Sequence, residues 1–314
     1  MTNKLPQLGI AVIIPCLNEA ASIRQVVLDV KRHLPEARIY VYDNESTDDT
    51  LKIAKAAGAI VRSEKCRGKG NVVRRMFTDI DADIYFMIDG DQTYDLTNMD
   101  YHVNALLTEY VDMVVGARIP EKENIYRPGH YLGNKFFNYS LNIIFKSNFT
   151  DIFSGYRVMT RRFVKTFAAV TKGFEIETEL SVHALELRVE VKEFGVLYSQ
   201  RIEGSHSKLN TIKDGIAILF VMYTLFREAN PMKFYSLVSL VLVLIASVLG
   251  YPLIMTFLKT GMVPRVPTAI LSSALMVLAG VGVVNGLILE NISKTRRDLK
   301  RIAFLKFNSP FSSY

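Results

Sequence analysis

The chain has 314 residues, 49% hydrophobic and 22% charged, a composition that excludes general disorder and leaves room for about two domains. Lysine and arginine outnumber aspartate and glutamate by 38 to 31, a net charge of +7, and the mean hydropathy is +0.17. Two cysteines, Cys16 and Cys66, exclude a disulfide scaffold and any multi-cysteine zinc module.

Ile10-Ala-Val-Ile-Ile-Pro15 is an unbroken apolar run and predicts a strand buried on both faces. A helix is expected from about Ala20 to Leu34, ending before Pro35. Ile39 to Tyr42 is a second strand. The polar stretch after it contains Ser46, Thr47 and Asp48, good caps for a helix through Ala57. Ala59 to Arg62 is a third strand, and Gly68-Lys-Gly70 opens a helix through about Phe77. Ile84 to Ile88 and Met113 to Ala117 are the fourth and fifth strands. Strand alternating with helix implies right-handed crossovers and a mostly parallel α/β sheet. Ligands of such sheets bind beyond the carboxyl ends of the strands.

Further along, Tyr131 to Phe149 and Ile216 to Phe226 mix apolar runs with flanking charges and suit helices lying in a membrane interface, with core packing or oligomer contact as the plainer reading. Phe234 to Leu258 and Val266 to Leu289 carry no charge, and each exceeds the ~20 residues a helix needs to cross a bilayer. The short connector 259–265 makes them a hairpin. Lys294, Arg296, Arg297, Lys300 and Arg301 follow it, so the positive-inside rule puts both termini and the main body in the cytoplasm. The expected divisions are a catalytic domain over 1–208, an interfacial helix over 209–230, two membrane helices within 231–290 and a basic cytoplasmic tail over 291–314. The basic surplus fits attraction to anionic lipid heads, and nucleic-acid binding is a poor fit.

Three strand ends carry acids: Glu19 after the first, Asp43 after the second, and Asp89-Gly-Asp91 after the fourth. Two carboxylates one residue apart can converge on a divalent cation, and oxygen ligands favour Mg²⁺ or Mn²⁺. A polar turn is the alternative. Arg67-Gly-Lys-Gly70 at a helix start is either an anion cradle, with Lys69 adding charge, or a flexible turn. The spacing of a P-loop and of a dinucleotide-binding Gly-x-Gly-x-x-Gly turn is absent.

These motifs, with Asp151-Ile-Phe-Ser-Gly-Tyr-Arg157 and Arg201-Ile-Glu-Gly-Ser-His-Ser-Lys208, resemble the inverting family-2 glycosyltransferases. With the hairpin, they resemble the polyprenyl-phosphate branch that holds the dolichol-phosphate mannose synthases and bactoprenol-phosphate glucosyltransferases. The resemblance implies a Rossmann-like GT-A catalytic domain followed by a two-helix transmembrane hairpin. It implies nucleotide-sugar contacts from Pro15, Glu19, Asp43, Lys69, Asp89 and Arg201, and a metal at Asp89 and Asp91, with Asp91 the more direct ligand. Arg118, Arg127, Ser154, Arg157, Ser207 and Lys208 match the acceptor-phosphate side. Asp151 is either a catalytic base or a residue that orients the acceptor or Arg157. After Asp91 this chain reads Gln92-Thr-Tyr-Asp95, without the prolines typical of the mannose synthases, so the donor sugar does not carry over.

The expected function is transfer of one sugar, with UDP-hexose the expected donor, to polyprenyl phosphate on the cytoplasmic face, with inversion and a divalent metal. A lipid phosphate is already anionic and needs little help from a base. The alternatives are a glycan synthase with a saccharide hydroxyl acceptor and a non-catalytic nucleotide-sugar-binding scaffold. Homo-oligomerisation is left open.

Overall fold

The computed structural model describes residues 8–121, 137–140, 142, 148–168, 176–201, 220, 223–224 and 226–313. The chain divides into two compact units, Met1–Ile218 with Lys300–Tyr314, and Leu219–Leu299.

The first unit is built on strands β1 (Ile10–Cys16), β2 (Arg38–Asp43), β3 (Ile60–Ser63), β4 (Ile84–Met87), β5 (Met113–Pro120), β6 (Arg157–Thr160) and β7 (Val191–Tyr198). They form one sheet in the order β3-β2-β1-β4-β6-β5-β7. β1 is buried along its whole length, as its β-branched run requires, and pairs in parallel with β2 and β4. β6 runs antiparallel between β4 and β5, and β7 returns parallel to β5 over eight residue pairs, Met113–Pro120 against Val191–Tyr198. The sheet is therefore mixed but mostly parallel, as expected.

Helices α1 (Ile23–His33), α2 (Thr50–Ala56), α3 (Lys69–Asp79), α4 (Met99–Thr108), α5 (Arg161–Lys165) and α6 (Ile176–Leu187) join the strands. α1 turns Ile23, Val26, Val27 and Val30 inward at helical spacing. It starts three residues later than expected, because the backbone of 18–20 is tied elsewhere. Asn18 N–H donates to Ser46 Oγ (2.7 Å), Glu19 N–H to Thr50 Oγ1 (2.9 Å) and Ala20 N–H to Asp48 Oδ2 (3.2 Å). Ser46 and Asp48 thus hold the loop after β1 in addition to their place before α2.

The second unit contains α7 (Pro231–Thr260) and α8, which runs over Val266–Leu305 and whose last turns belong to the first unit. Both helices are long and apolar enough to cross a membrane. α7 begins with Pro231 in its first turn and ends at Gly261, whose left-handed φ of 67° suits glycine. The helices meet along small residues. A Cβ on Gly282 would lie 2.4 Å from Ser239 Oγ, and one on Gly286 3.1 Å from Tyr235 Cβ. Ser272 Oγ donates to the Ala246 carbonyl at 2.9 Å.

The basic residues after the second apolar run continue its helix. α8 continues through Leu305, and the chain from Lys300 onward packs within the first unit. Lys300 pairs with the half-buried Glu186 at 2.6 Å. The Arg162 guanidinium, held by Asp112 at 2.6 and 2.7 Å, lies over the rings of Phe304 (4.6 Å) and Phe311 (5.2 Å). The aromatic residues beyond the basic cluster supply apolar surface that a separate tail would leave in water. The proposed interfacial segments 131–149 and 216–226 lie largely outside the described residues.

Candidate active site

The ends of β1, β2 and β4 lie side by side, with Cys16 paired to Asp43 and Ile13 to Met87. This register gathers Glu19, Asp43, Asp89 and Asp91 at one edge of the sheet. Gly90 makes the turn possible: a Cβ there would lie 2.7 Å from Cys16 Sγ. Its carbonyl is fixed by the Ser22 hydroxyl at 2.6 Å. The loop before β6 presses on the same place, since a Cβ on Gly155 would fall 2.4 Å from Asp89 Oδ2.

Asp91 is buried. It accepts the Thr93 hydroxyl at 2.6 Å and pairs with Arg201, just past β7, at 2.7 Å. Burial and the neighbouring Asp89 push its carboxyl above the ordinary range. Lys69, the first residue of α3, sits between Asp89 Oδ1 (2.5 Å) and Glu177 Oε1. Burial alone would lower the ammonium's pKa, but the two carboxylates outweigh it and raise it. Glu177, in the first turn of α6, is buried and shifted up by desolvation. Its second oxygen, Oε2, has no hydrogen-bond partner among the described residues.

Asp43 is buried too. Its Oδ2 accepts the Ser46 N–H at 3.0 Å, while Oδ1 has no hydrogen-bond partner among the described residues. Asn44 secures the glycine turn beside it. Its Oδ1 accepts the Gly68 N–H at 2.6 Å, and its amide donates to the Glu64 and Cys66 carbonyls. Pro15 is buried within β1 beside Tyr42, and Glu19 is buried in the following turn.

On the other flank, Arg118 of β5 grips Asp151. Its Nε and Nη2 donate at 2.6 and 2.8 Å and its backbone N–H at 3.2 Å. The guanidinium also lies 5.5 Å from the Tyr198 ring. Burial works to raise the Asp151 pKa, but Arg118 prevails and holds it below the ordinary carboxylate value, which makes Asp151 a weak base. Asp151 thereby orients the Arg118 guanidinium.

Ser154 and Arg157, matched to the acceptor-phosphate side, hold the loop beside Asp151. Both are fully buried. Ser154 Oγ donates to the Gly116 carbonyl at 2.5 Å. The Arg157 guanidinium is spent on the Ser154 and Ile152 carbonyls and Ser181 Oγ, at 3.0, 2.9 and 2.9 Å. They shape the loop that carries Asp151. Arg127, Ser207 and Lys208 lie outside the described residues.

The site thus brings together Asp43, Lys69, Asp89, Asp91, Arg201 and, across the loop, Asp151 with Arg118. Glu177 and Asn44 were not among the sequence candidates. The oxygen donors of Asp89 and Asp91 suit a hard divalent cation. Lys69 and Arg201 pair with those two carboxylates, and Lys69 holds Glu177 as well.

The glycosyl transferase family 2 profile matches residues 11–167. The chain belongs to that family. This glycosyltransferase is 33% identical to glycosyltransferase AglJ of Haloferax volcanii over 237 residues, covering 74% of this chain and 76% of the relative. Protein RfbJ of Shigella flexneri is 54% identical over 123 residues, covering 39% of this chain and 95% of that one. Among solved structures, glucosyl-3-phosphoglycerate synthase of Mycobacterium tuberculosis, in complex with Mn²⁺ and UDP-glucose, superposes with a TM-score of 0.54. It is 23% identical and covers 68% of this chain and 79% of that one, a likeness of the GT-A fold.

Proposed function

We propose that this glycosyltransferase moves a single hexose from a nucleoside-diphosphate sugar to polyprenyl phosphate at the cytoplasmic face of a membrane, with inversion at the anomeric carbon. The observation that carries the reading is one chain that joins a family-2 site, with Arg118 held by Asp151, to two helices long enough to span a bilayer.

The buried Asp43 Oδ1, without a hydrogen-bond partner among the described residues, suits an N–H on the nucleobase edge. Asp89 and Asp91 would hold Mg²⁺ or Mn²⁺, whose charge offsets that of the leaving diphosphate. Arg201 is close enough to this pair to shift from Asp91 to the diphosphate oxygens. Arg118, oriented by Asp151, meets the acceptor phosphate, together with Arg127, Ser207 and Lys208. A phosphate oxygen of the lipid then attacks the anomeric carbon, and the bond from that carbon to the nucleoside diphosphate breaks. No proton need be removed from a phosphate that is already ionised, which agrees with a weakly basic Asp151.

The test is an acceptor assay with the purified full chain in detergent, a panel of radiolabelled nucleotide-sugars, and short-chain polyprenyl phosphate beside a saccharide acceptor. Label should enter an acid-labile lipid product, stop in EDTA and return with Mg²⁺ or Mn²⁺. Transfer only to the saccharide would overturn the acceptor, and full turnover in EDTA the metal.

A further inference from the structure

Resting on the cation reading above, we infer that Glu177 is a positioning residue for the cation site: it keeps Lys69 paired so that Asp89 can be released to the metal. Lys69 reaches Asp89 and Glu177 at once, and its side chain is almost wholly out of water. The ammonium therefore competes with any cation for Asp89. A buried ammonium stripped of its only counter-ion is costly. Glu177 removes that obstacle, because it stays with Lys69 when Asp89 turns to another partner.

Two details fit this role. Glu177 Oε2 is buried without a hydrogen-bond partner among the described residues, so a second acceptor stands ready for the N–H that Asp89 would give up. Lys69 and Glu177 also stand in the first turns of two helices, α3 and α6, so the pair is fixed by rigid elements rather than by a loop. Asp89 itself has little room to swing, since the Gly155 backbone lies against its carboxylate. An exchange of partners at Asp89 is therefore a small movement within a fixed frame.

The test is Mn²⁺ titration of the full-length protein in detergent, with and without UDP, read from the paramagnetic resonance of free Mn²⁺. Glu177→Gln should weaken Mn²⁺ by about tenfold, the size of one unit charge acting over several ångströms at a partly screened site. The double variant Lys69→Met/Glu177→Gln should recover most of that loss, because Asp89 is no longer contested. Lys69→Met alone should bind Mn²⁺ more tightly than the parent, and it keeps the test open should the glutamine variant fail to fold. Parent-like binding by Glu177→Gln, no recovery in the double variant, or weaker binding by Lys69→Met would overturn the inference alone. A parent protein that binds no Mn²⁺ in either condition overturns the cation reading and the inference with it.

Discussion

Asp151→Ala removes the carboxylate that receives three N–H groups of Arg118, two of them from the guanidinium. The two side chains keep only 14% and 12% of their exposure, so little water is available to replace the lost partner. Breaking one side of a buried pair costs ~3–5 kcal/mol. The residual exposure and the Tyr198 ring beside Arg118 place the expected loss at the low end, about 3 kcal/mol. Arg118→Ala should cost less, about 2 kcal/mol, because Asp151 keeps the Phe153 N–H and can take up a proton. The double variant should fall short of the sum by at least ~1.5 kcal/mol, the signature of direct coupling. Urea unfolding of the detergent-solubilised protein measures the cycle. Since Arg118 depresses the Asp151 pKa, the pair's contribution is present above the ordinary carboxylate value and fades only as pH falls through the lower folded pKa. The cycle should thus read the same at pH 6 and pH 8. Additive losses, or a coupling that vanishes over that range, would refute the pairing and with it the role given to Asp151.

Other outcomes follow from other parts of the molecule. Burial pushes His183 down to about 3, so the unfolded chain takes up its proton first, and stability falls as pH drops from about 6.5 toward 3. His183→Gln should flatten that fall by up to ~1.4 kcal/mol per pH unit, measured by urea unfolding at pH 7, 6 and 5. Phe304→Ala should destabilise the catalytic unit by about 2–3 kcal/mol through lost burial and the lost contact with Arg162, and an unchanged melting temperature would refute the packing of that segment. For the proposed topology, a cysteine at Thr260 should react with an impermeant reagent added outside intact cells and one at Ser309 should not; the reverse pattern would remove the cytoplasmic donor.

What could be read in the sequence tracks how local its cause is. β1, β2 and β4 are apolar runs ended by acids, and the parallel sheet follows from that pattern alone, so Asp43, Asp89 and Asp91 were visible as strand-end residues. β6 is only four residues long and gains its place from antiparallel neighbours on both sides, which no local pattern announces. Glu177 resembles an ordinary acid in a helix's first turn, with Glu179 two residues on, and only the tertiary approach of Lys69 distinguishes it. Arg157 is the reverse case. An arginine beside a site loop looks like an anion binder, yet this one, the first residue of β6, donates to the Ser154 and Ile152 carbonyls.

The packing of the segment from Lys300 onward sets an order on how the protein is made. A ribosome delivers the sheet, then the two apolar helices, and only afterwards Lys300, Phe304 and Phe311. Until then Glu186 lacks its lysine, and Arg162, though held by Asp112, lacks its two rings. The catalytic unit therefore reaches its finished state only once the apolar helices have left the ribosome, so completion of the enzyme is timed by elongation through the very segments a translocon would take up.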